Sequence, residues 1–199
     1  MKKITIYKII LVLLIIAALV LATFIIKKYI DNKKVENQLQ AILQTINTQS
    51  SEDELDIVQE IDAQIEGYKV VGIIKIPKIN IEYPILEKTD KASLKLSITK
   101  FWGNQINQIG NVVLAGHNNL NNKFFGKIDE LQEGDIIELT DKQRVTIKYE
   151  VFKTYIVDPN DISPILAQEE NAREVTLITC TNGNKERLVV RAREINNEL

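Results

Sequence analysis

One thiol and one imidazole stand at the ends of two apolar, strand-like runs. Cys180 closes Val175-Thr176-Leu177-Ile178-Thr179-Cys180, and His117 closes Val112-Val113-Leu114-Ala115-Gly116-His117. A thiolate is a strong nucleophile and an imidazole moves protons near neutral pH, so this pair is the minimum equipment of a thiol mechanism. The chain contains no other Cys or His that could take either role. Each residue also has a plainer reading, since a lone Cys packs as a small hydrophobe and a lone His often serves structure. The surroundings of Cys180 favour chemistry. Thr181-Asn182-Gly183-Asn184-Lys185-Glu186 is rich in turn formers and leads to Arg187. In a hairpin symmetric about Gly183-Asn184, Arg187 falls opposite Cys180 on the same face, with Cβ atoms about 4.5–5.5 Å apart. A guanidinium there can stabilise a thiolate, or the oxyanion formed when it attacks a carbonyl. Arg191 shares that face and Arg193 follows, so spacing leaves three candidate cations. Pairing with Glu186 or Glu194 would make Arg187 an ordinary surface charge.

The elements that must position these groups read as strands. Residues 71–76, 79–83, 111–116, 135–139, 145–157, 175–180 and 188–192 are rich in β-branched residues and carry a strand-like pattern. One helix is expected near Phe124 to Leu131. Pro77 and Pro84 are expected where strands start or stop, because proline lacks an N–H for a ladder. Several short strands with little helix predict a mainly β domain, a closed or nearly closed barrel. Phe101 and Trp102 read as core aromatics.

The 199 residues, 45% of them hydrophobic, suffice for one ordinary core. The net charge of −2, with lysines and glutamates interspersed, offers no basic stripe of the kind a phosphate backbone needs, which sets nucleic acid aside as a partner. A single cysteine excludes an intramolecular disulfide and a cysteine-based zinc site.

Ahead of the strands, residues 9–26 form an uncharged aliphatic run between Lys2, Lys3 and Lys8 on one side and Lys27 and Lys28 on the other. Its length is near the minimum for a membrane-crossing helix. A cleaved signal would end in small residues, but Phe24-Ile25-Ile26-Lys27-Lys28 follows, favouring an uncleaved anchor. The flanking lysines barely discriminate orientation, and the short tail favours an exported C-terminal part. Val35, Leu39, Ile42, Leu43 and Ile46 then repeat at helical spacing. Ser51-Glu52-Asp53-Glu54 resembles a capping box for a second segment with Leu55, Val58, Ile61 and Ile65, ended by Gly67. The expected organisation is a tail and anchor over 1–28, a helical stalk over 29–68 and a catalytic domain over 69–199.

Leu114-Ala115-Gly116-His117, Thr176-Leu177-Ile178-Thr179-Cys180 and Arg187-Leu188-Val189-Val190 together resemble the three signature segments of the sortase family. Residues 72–81, with Tyr83-Pro84-Ile85, are similar to that domain's opening strands. The resemblance covers about residues 70 to 194, in the family's order. It implies an eight-stranded barrel outside the membrane of a Gram-positive bacterium. It also implies cysteine transpeptidation of surface proteins bearing an LPxTG-like sorting signal. By that resemblance Cys180 attacks the Thr carbonyl, Arg187 steadies substrate and oxyanion, and His117 protonates the leaving amine. His117 then deprotonates an acceptor amine, typically of a cell-wall precursor. No metal or organic cofactor takes part.

The resemblance also narrows the type. Pilin-polymerising members carry an Asp-Pro-aromatic lid and a second membrane helix. Residues 50–70 contain no proline, and Leu199 follows soon after the last strand, so a class A or class D-like member is expected. Calcium-stimulated members use acidic residues before the histidine strand. Residues 100–108 contain none, and only Glu169 and Glu170 in the later loop speak for calcium. The family's substrate groove is walled by the loop before the cysteine strand, here residues 158–173. Ile162 and Ile165 would receive the Leu-Pro part and Thr179 would stand near the oxyanion, unless these are plain packing residues. A thiol hydrolase would use the same catalytic residues, and a membrane-tethered binding module would keep the barrel without the bond exchange.

Overall fold

Apolar side chains that alternate along a strand can be hidden from water on one face only if that face is turned inward, and here the sheet closes on itself to do so. The computed structural model describes residues 2–49, 62–118, 122–167 and 169–195. The chain divides into two compact units, Met1–Gln40 and Ala41–Leu199.

The described residues of the first unit lie within helix α1 (Lys2–Gln49). Its aliphatic stretch is exposed over residues 10–26, and the helix is long and apolar enough to cross a bilayer. The helix runs without a break through the first stalk stripe, so the apolar run and the Val35–Ile46 pattern share one element.

The described residues of the second unit hold nine strands: β1 (Gln64–Ile65), β2 (Tyr68–Ile76), β3 (Ile81–Leu86), β4 (Ile98–Trp102), β5 (Gly110–Ala115), β6 (Ile136–Asp141), β7 (Thr146–Val157), β8 (Arg173–Thr181) and β9 (Glu186–Glu194). The order β2-β3-β4-β5-β8-β9-β7-β6 closes through a β2–β6 pairing into an eight-stranded barrel, and β1 adds a two-residue hairpin arm to β2. The pairs β3–β4 and β5–β8 are parallel, and the remaining pairs are antiparallel. Ile74, Leu114, Ile137, Leu139, Leu177 and Val190 are among the residues filling the interior. Short helices α2 (Ser93–Leu96) and α3 (Ser163–Leu166) lie in connections.

Several local expectations need correction. Ile65 and Gly67 belong to no helix. Glu66 and Gly67 both take positive φ, 47° and 83°, which is the backbone of a two-residue hairpin turn and lets Ile65 pair with Tyr68. The proposed capping box and Leu55, Val58 and Ile61 lie outside the described residues. The segment 124–131 forms a bridge between Asn118 and Phe124, a turn and a single 3-10 turn at Ile128–Glu130. Positive φ at Asn122 and Phe124 breaks the helical path, while Phe124, Phe125, Ile128 and Leu131 are buried as their spacing promises. Phe101 and Trp102 are 48% and 57% exposed. A bulge between Lys100 and Trp102 shifts the β4–β5 register there, so neither ring joins the core. Pro84 lies inside β3, opposite Ile73, where β4 has not yet joined the other edge.

A polar knot closes the barrel end where β5 and β8 begin. The buried Tyr149 hydroxyl donates to Asn107 Oδ1 at 3.0 Å, and Asn107 Nδ2 donates to the carbonyls of Val145 and Leu139 at 2.8 and 3.1 Å. Arg173 Nε donates to the Asn107 carbonyl at 2.8 Å and its guanidinium pairs with Glu194. Burial, reinforced by the charge of Glu194, pushes the Tyr149 phenol far above its ordinary range. The native state therefore keeps the phenolic proton at pH values where the unfolded chain releases it. The contribution is fully present below the unfolded tyrosine value, about pH 10, and is lost as pH rises beyond it. Tyr149→Phe is expected to lower stability by about 1–2 kcal/mol near neutral pH, since it orphans a buried acceptor, and to flatten the decline above about pH 10. Urea unfolding of both proteins at pH 7 and above pH 10 checks both effects.

Candidate active site

The site begins with the parallel register of β5 and β8. The pairs run from Gly110 with Arg173 to Ala115 with Ile178, so two further residues on each strand bring His117 level with Cys180. Three hydrogen bonds carry the alignment past the last ladder pair. Gly116 N–H donates to the Ile178 carbonyl at 3.3 Å. Thr179 Oγ1 donates to the Gly116 carbonyl at 2.7 Å, and Asn118 Nδ2 donates to the Cys180 carbonyl at 3.0 Å. Sequence reading singled out neither Gly116 nor Asn118 as a positioning residue. Both contacts arise from a pairing between segments more than sixty residues apart, which no local spacing signals.

Gly116 is required by packing. A Cβ there would stand 2.8 Å from the Phe125 ring, and Phe125 N–H donates to the His117 carbonyl at 3.1 Å. The chain after the imidazole thus folds back over the only residue small enough to admit it.

Alternation assigns the faces. Val112, Leu114, Val175, Leu177, Leu188 and Val190 point into the core, so His117, Cys180 and Arg187 emerge on the outer face. All three are partly exposed. The β8–β9 hairpin pairs Cys180 directly with Arg187. Its turn carries three successive residues at positive φ, Asn182, Gly183 and Asn184, the residue types that tolerate that backbone best. Arg187 Nη1 donates to the carbonyls of Asn184 and Glu186 at 3.2 and 3.0 Å, which holds the guanidinium at the hairpin turn without spending it on a carboxylate.

The three candidate cations now separate. Arg191 and Arg193 both bind the Glu174 carboxylate, at 2.5 and 2.8 Å, and Arg193 also pairs with Glu169. Of the three, Arg187 is the one across from the thiol. Thr179 turns inward, is buried, and commits its hydroxyl to Gly116, so only its backbone faces the site's surroundings. Ile162 precedes α3 and is 59% exposed, while Ile165, within α3, is partly buried. The carbonyls of Pro164 and Ala167 bind Asn111 on the outer face of β5, so α3 rests on the face from which the thiol emerges. Among the described residues no group of three or more His, Cys, Asp or Glu could hold a metal ion.

The sortase domain family model matches residues 74–195, from the last part of β2 through β9, and includes the three polar groups above. This chain belongs to the sortase family. It is 30% identical over 141 residues to sortase A of Bacillus anthracis, covering 69% of this chain and 66% of that protein. The chain spans between about half and two thirds of the length of the curated relatives it matches. Among solved structures it is similar to a Clostridium perfringens sortase D5 transpeptidase, with a TM-score of 0.62 and 27% identity over 81% of this chain and 98% of that one. It is similar also to a Clostridium perfringens sortase C with the C-terminal cell wall sorting motif, with a TM-score of 0.57 and 28% identity over 82% and 90%.

Gly116→Ala is expected to cost about 1–3 kcal/mol through overpacking against Phe125. A lowered denaturant midpoint with an unchanged slope is the expected signature; unchanged stability would show that the ring has room to move.

Proposed function

We propose that this sortase is a membrane-anchored cysteine transpeptidase that cleaves an LPxTG-like sorting signal between Thr and Gly and joins the Thr carboxyl to an amine of a cell-wall precursor. The observation that carries the reading is the convergence of the chain's one thiol, one imidazole and one hairpin-paired guanidinium on a single outer edge of the barrel. Cys180 Sγ, as thiolate, attacks the Thr carbonyl carbon. The negative charge that develops on the carbonyl oxygen is stabilised by Arg187. As the tetrahedral species collapses, the C–N bond breaks and the new amino terminus leaves with a proton from His117. The thioester is then attacked by the acceptor amine, whose proton passes to His117. The new amide forms and the Cys180 thiolate departs, so the cycle returns the starting protonation states.

The length of the outer face supports the substrate class. Thr176, whose hydroxyl holds the α3 anchor Asn111, lies four residues before Cys180, about 13 Å along an extended strand. With the Thr at the thiol, the Leu of a Leu-Pro-x-Thr segment lies three residues away, about 10 Å in extended form, which directs the Leu-Pro part toward α3, where Ile162 and Ile165 stand on the same outer face. The exposed aliphatic stretch of α1 supports a single-pass anchor, and the short N-terminal tail favours an exported barrel. The lack of proline in residues 50–70, where a lid would carry one, supports a class A or class D-like member. Calcium is proposed to be dispensable, because residues 100–108 lack carboxylates and Glu169 is occupied by Arg193.

The test uses the full-length chain in detergent with an LPxTG-like peptide, with and without an added amine, and mass identification of products. Amine-linked product that vanishes in Cys180→Ala is expected. Hydrolysis alone, whatever amine is offered, would replace transpeptidation with a thiol hydrolase, and cleavage by Cys180→Ala would remove the nucleophile. Arg187→Ala is expected to lower kcat about 10²–10³-fold, as loss of an oxyanion donor does, and Arg191→Ala far less. Equal losses would mean that the guanidinium is misassigned. Turnover in chelator and in added calcium is expected to agree within about twofold; a larger calcium stimulation would refute an ion-independent site.

A further inference from the structure

On the outer face below the thiol lies a buried polar cluster that the reaction does not use. Glu174 is 1% exposed, and Asn111 and Thr176 are buried with it, although all three occupy positions that alternation turns away from the core. The loop after β7 covers them. Thr176 Oγ1 donates to Asn111 Oδ1 at 2.8 Å, which fixes the Asn111 amide so that Nδ2 donates to the carbonyls of Pro164 and Ala167 at 3.1 and 3.0 Å. Arg191 Nη2 donates to the same Ala167 carbonyl at 3.1 Å and to Glu174. Arg193 binds the other Glu174 oxygen, and both guanidinium groups lie about 5 Å from the Phe152 ring, at 5.1 and 4.9 Å.

Every contact the cluster makes with α3 goes to a backbone carbonyl, at the middle and just past the end of a single helical turn. The cluster thereby fixes the turn through its backbone, alongside the packing of the buried Pro164. Those side chains are unusual for so firmly held a segment: Ile162 and Leu166 are 59% and 63% exposed. Apolar groups held rigidly in water lose little further freedom when a ligand covers them.

We propose that Asn111, Thr176, Glu174 and Arg191 form a positioning clamp that fixes the α3 turn so that Ile162 and Leu166 are presented to the apolar part of the substrate peptide. Asn111 is then a specificity-determining positioning residue that never touches the peptide. The substrate half of this proposal rests on the transpeptidase reading above.

The test uses the full-length chain in detergent and the variants Asn111→Ala and Thr176→Val, the second nearly isosteric and the milder of the two. Amide hydrogen exchange over residues 160–167 is expected to quicken about tenfold or more in Asn111→Ala, and less in Thr176→Val, with exchange in β5 and β8 unchanged. KM for the LPxTG-like peptide is expected to rise about tenfold, with kcat and the alkylation rate of Cys180 by iodoacetamide within about twofold of the parent. A merely structural role would instead lower kcat and alter alkylation along with stability, and that outcome overturns the proposal. Unchanged loop exchange in both variants overturns the clamp. Faster exchange with unchanged KM overturns its role in specificity. If Asn111→Ala does not fold, Thr176→Val decides on the same readouts. If the parent protein turns over no sorting peptide, the transpeptidase reading and the substrate half fail together, and the exchange result still decides the clamp.

Discussion

The parallel pairing of β5 with β8 is the constraint on which the rest of the domain depends. Parallel neighbours cannot be joined by a tight turn; the chain must leave the end of one strand and return to the start of the other. The crossover here is long, and it carries β6 and β7, whose pairings with β2 and β9 close the barrel. Closure and site geometry thus rest on the same set of strand pairings. The register that sets Ala115 beside Ile178 also sets His117 beside Cys180, and a slip of one residue would turn one of the two groups into the core.

The two faces of these strands divide the work. Inward positions hold aliphatic side chains, and outward positions carry the polar chemistry in a graded series along β8. Near the start of the strand Glu174 is buried under a loop and bound by two arginines; at its end Cys180 is partly exposed. A buried carboxylate with two guanidinium partners contributes little net stability over an apolar substitute, because desolvation offsets much of the attraction. Its value lies in geometry, since two arginines committed to Glu174 cannot compete for the position across from the thiol.

Legibility in the sequence followed range. Seven of the eight barrel strands were readable because β-branched residues recur in short runs, and the opposition of Cys180 and Arg187 was readable because Asn182-Gly183-Asn184 marks a tight turn between adjacent strands. β4 escaped notice: it pairs at only three positions with β5 and is broken by a bulge, and the same bulge exposes the two aromatics expected in the core. The helical spacing of Phe124, Phe125, Ile128 and Leu131 reported their burial truly and their conformation falsely, because positive φ at Phe124 is a backbone fact with no periodic signature. Which arginine faces the thiol, and that Asn118 holds the cysteine's carbonyl, depend on contacts distant in sequence. Those two features could only be seen once the barrel was folded.

Barrel closure also governs how a peptide can be read here. β8 is paired on both sides from Glu174 to Ile178 and β5 from Val113 to Ala115. Over those residues a visiting chain has no edge to join and cannot be held by main-chain ladder bonds, which are indifferent to side-chain identity. Discrimination must fall to the connections laid over the outer face. Those can vary in length and composition while the barrel stays constant, which makes this fold well suited to diversifying its recognition without disturbing its chemistry.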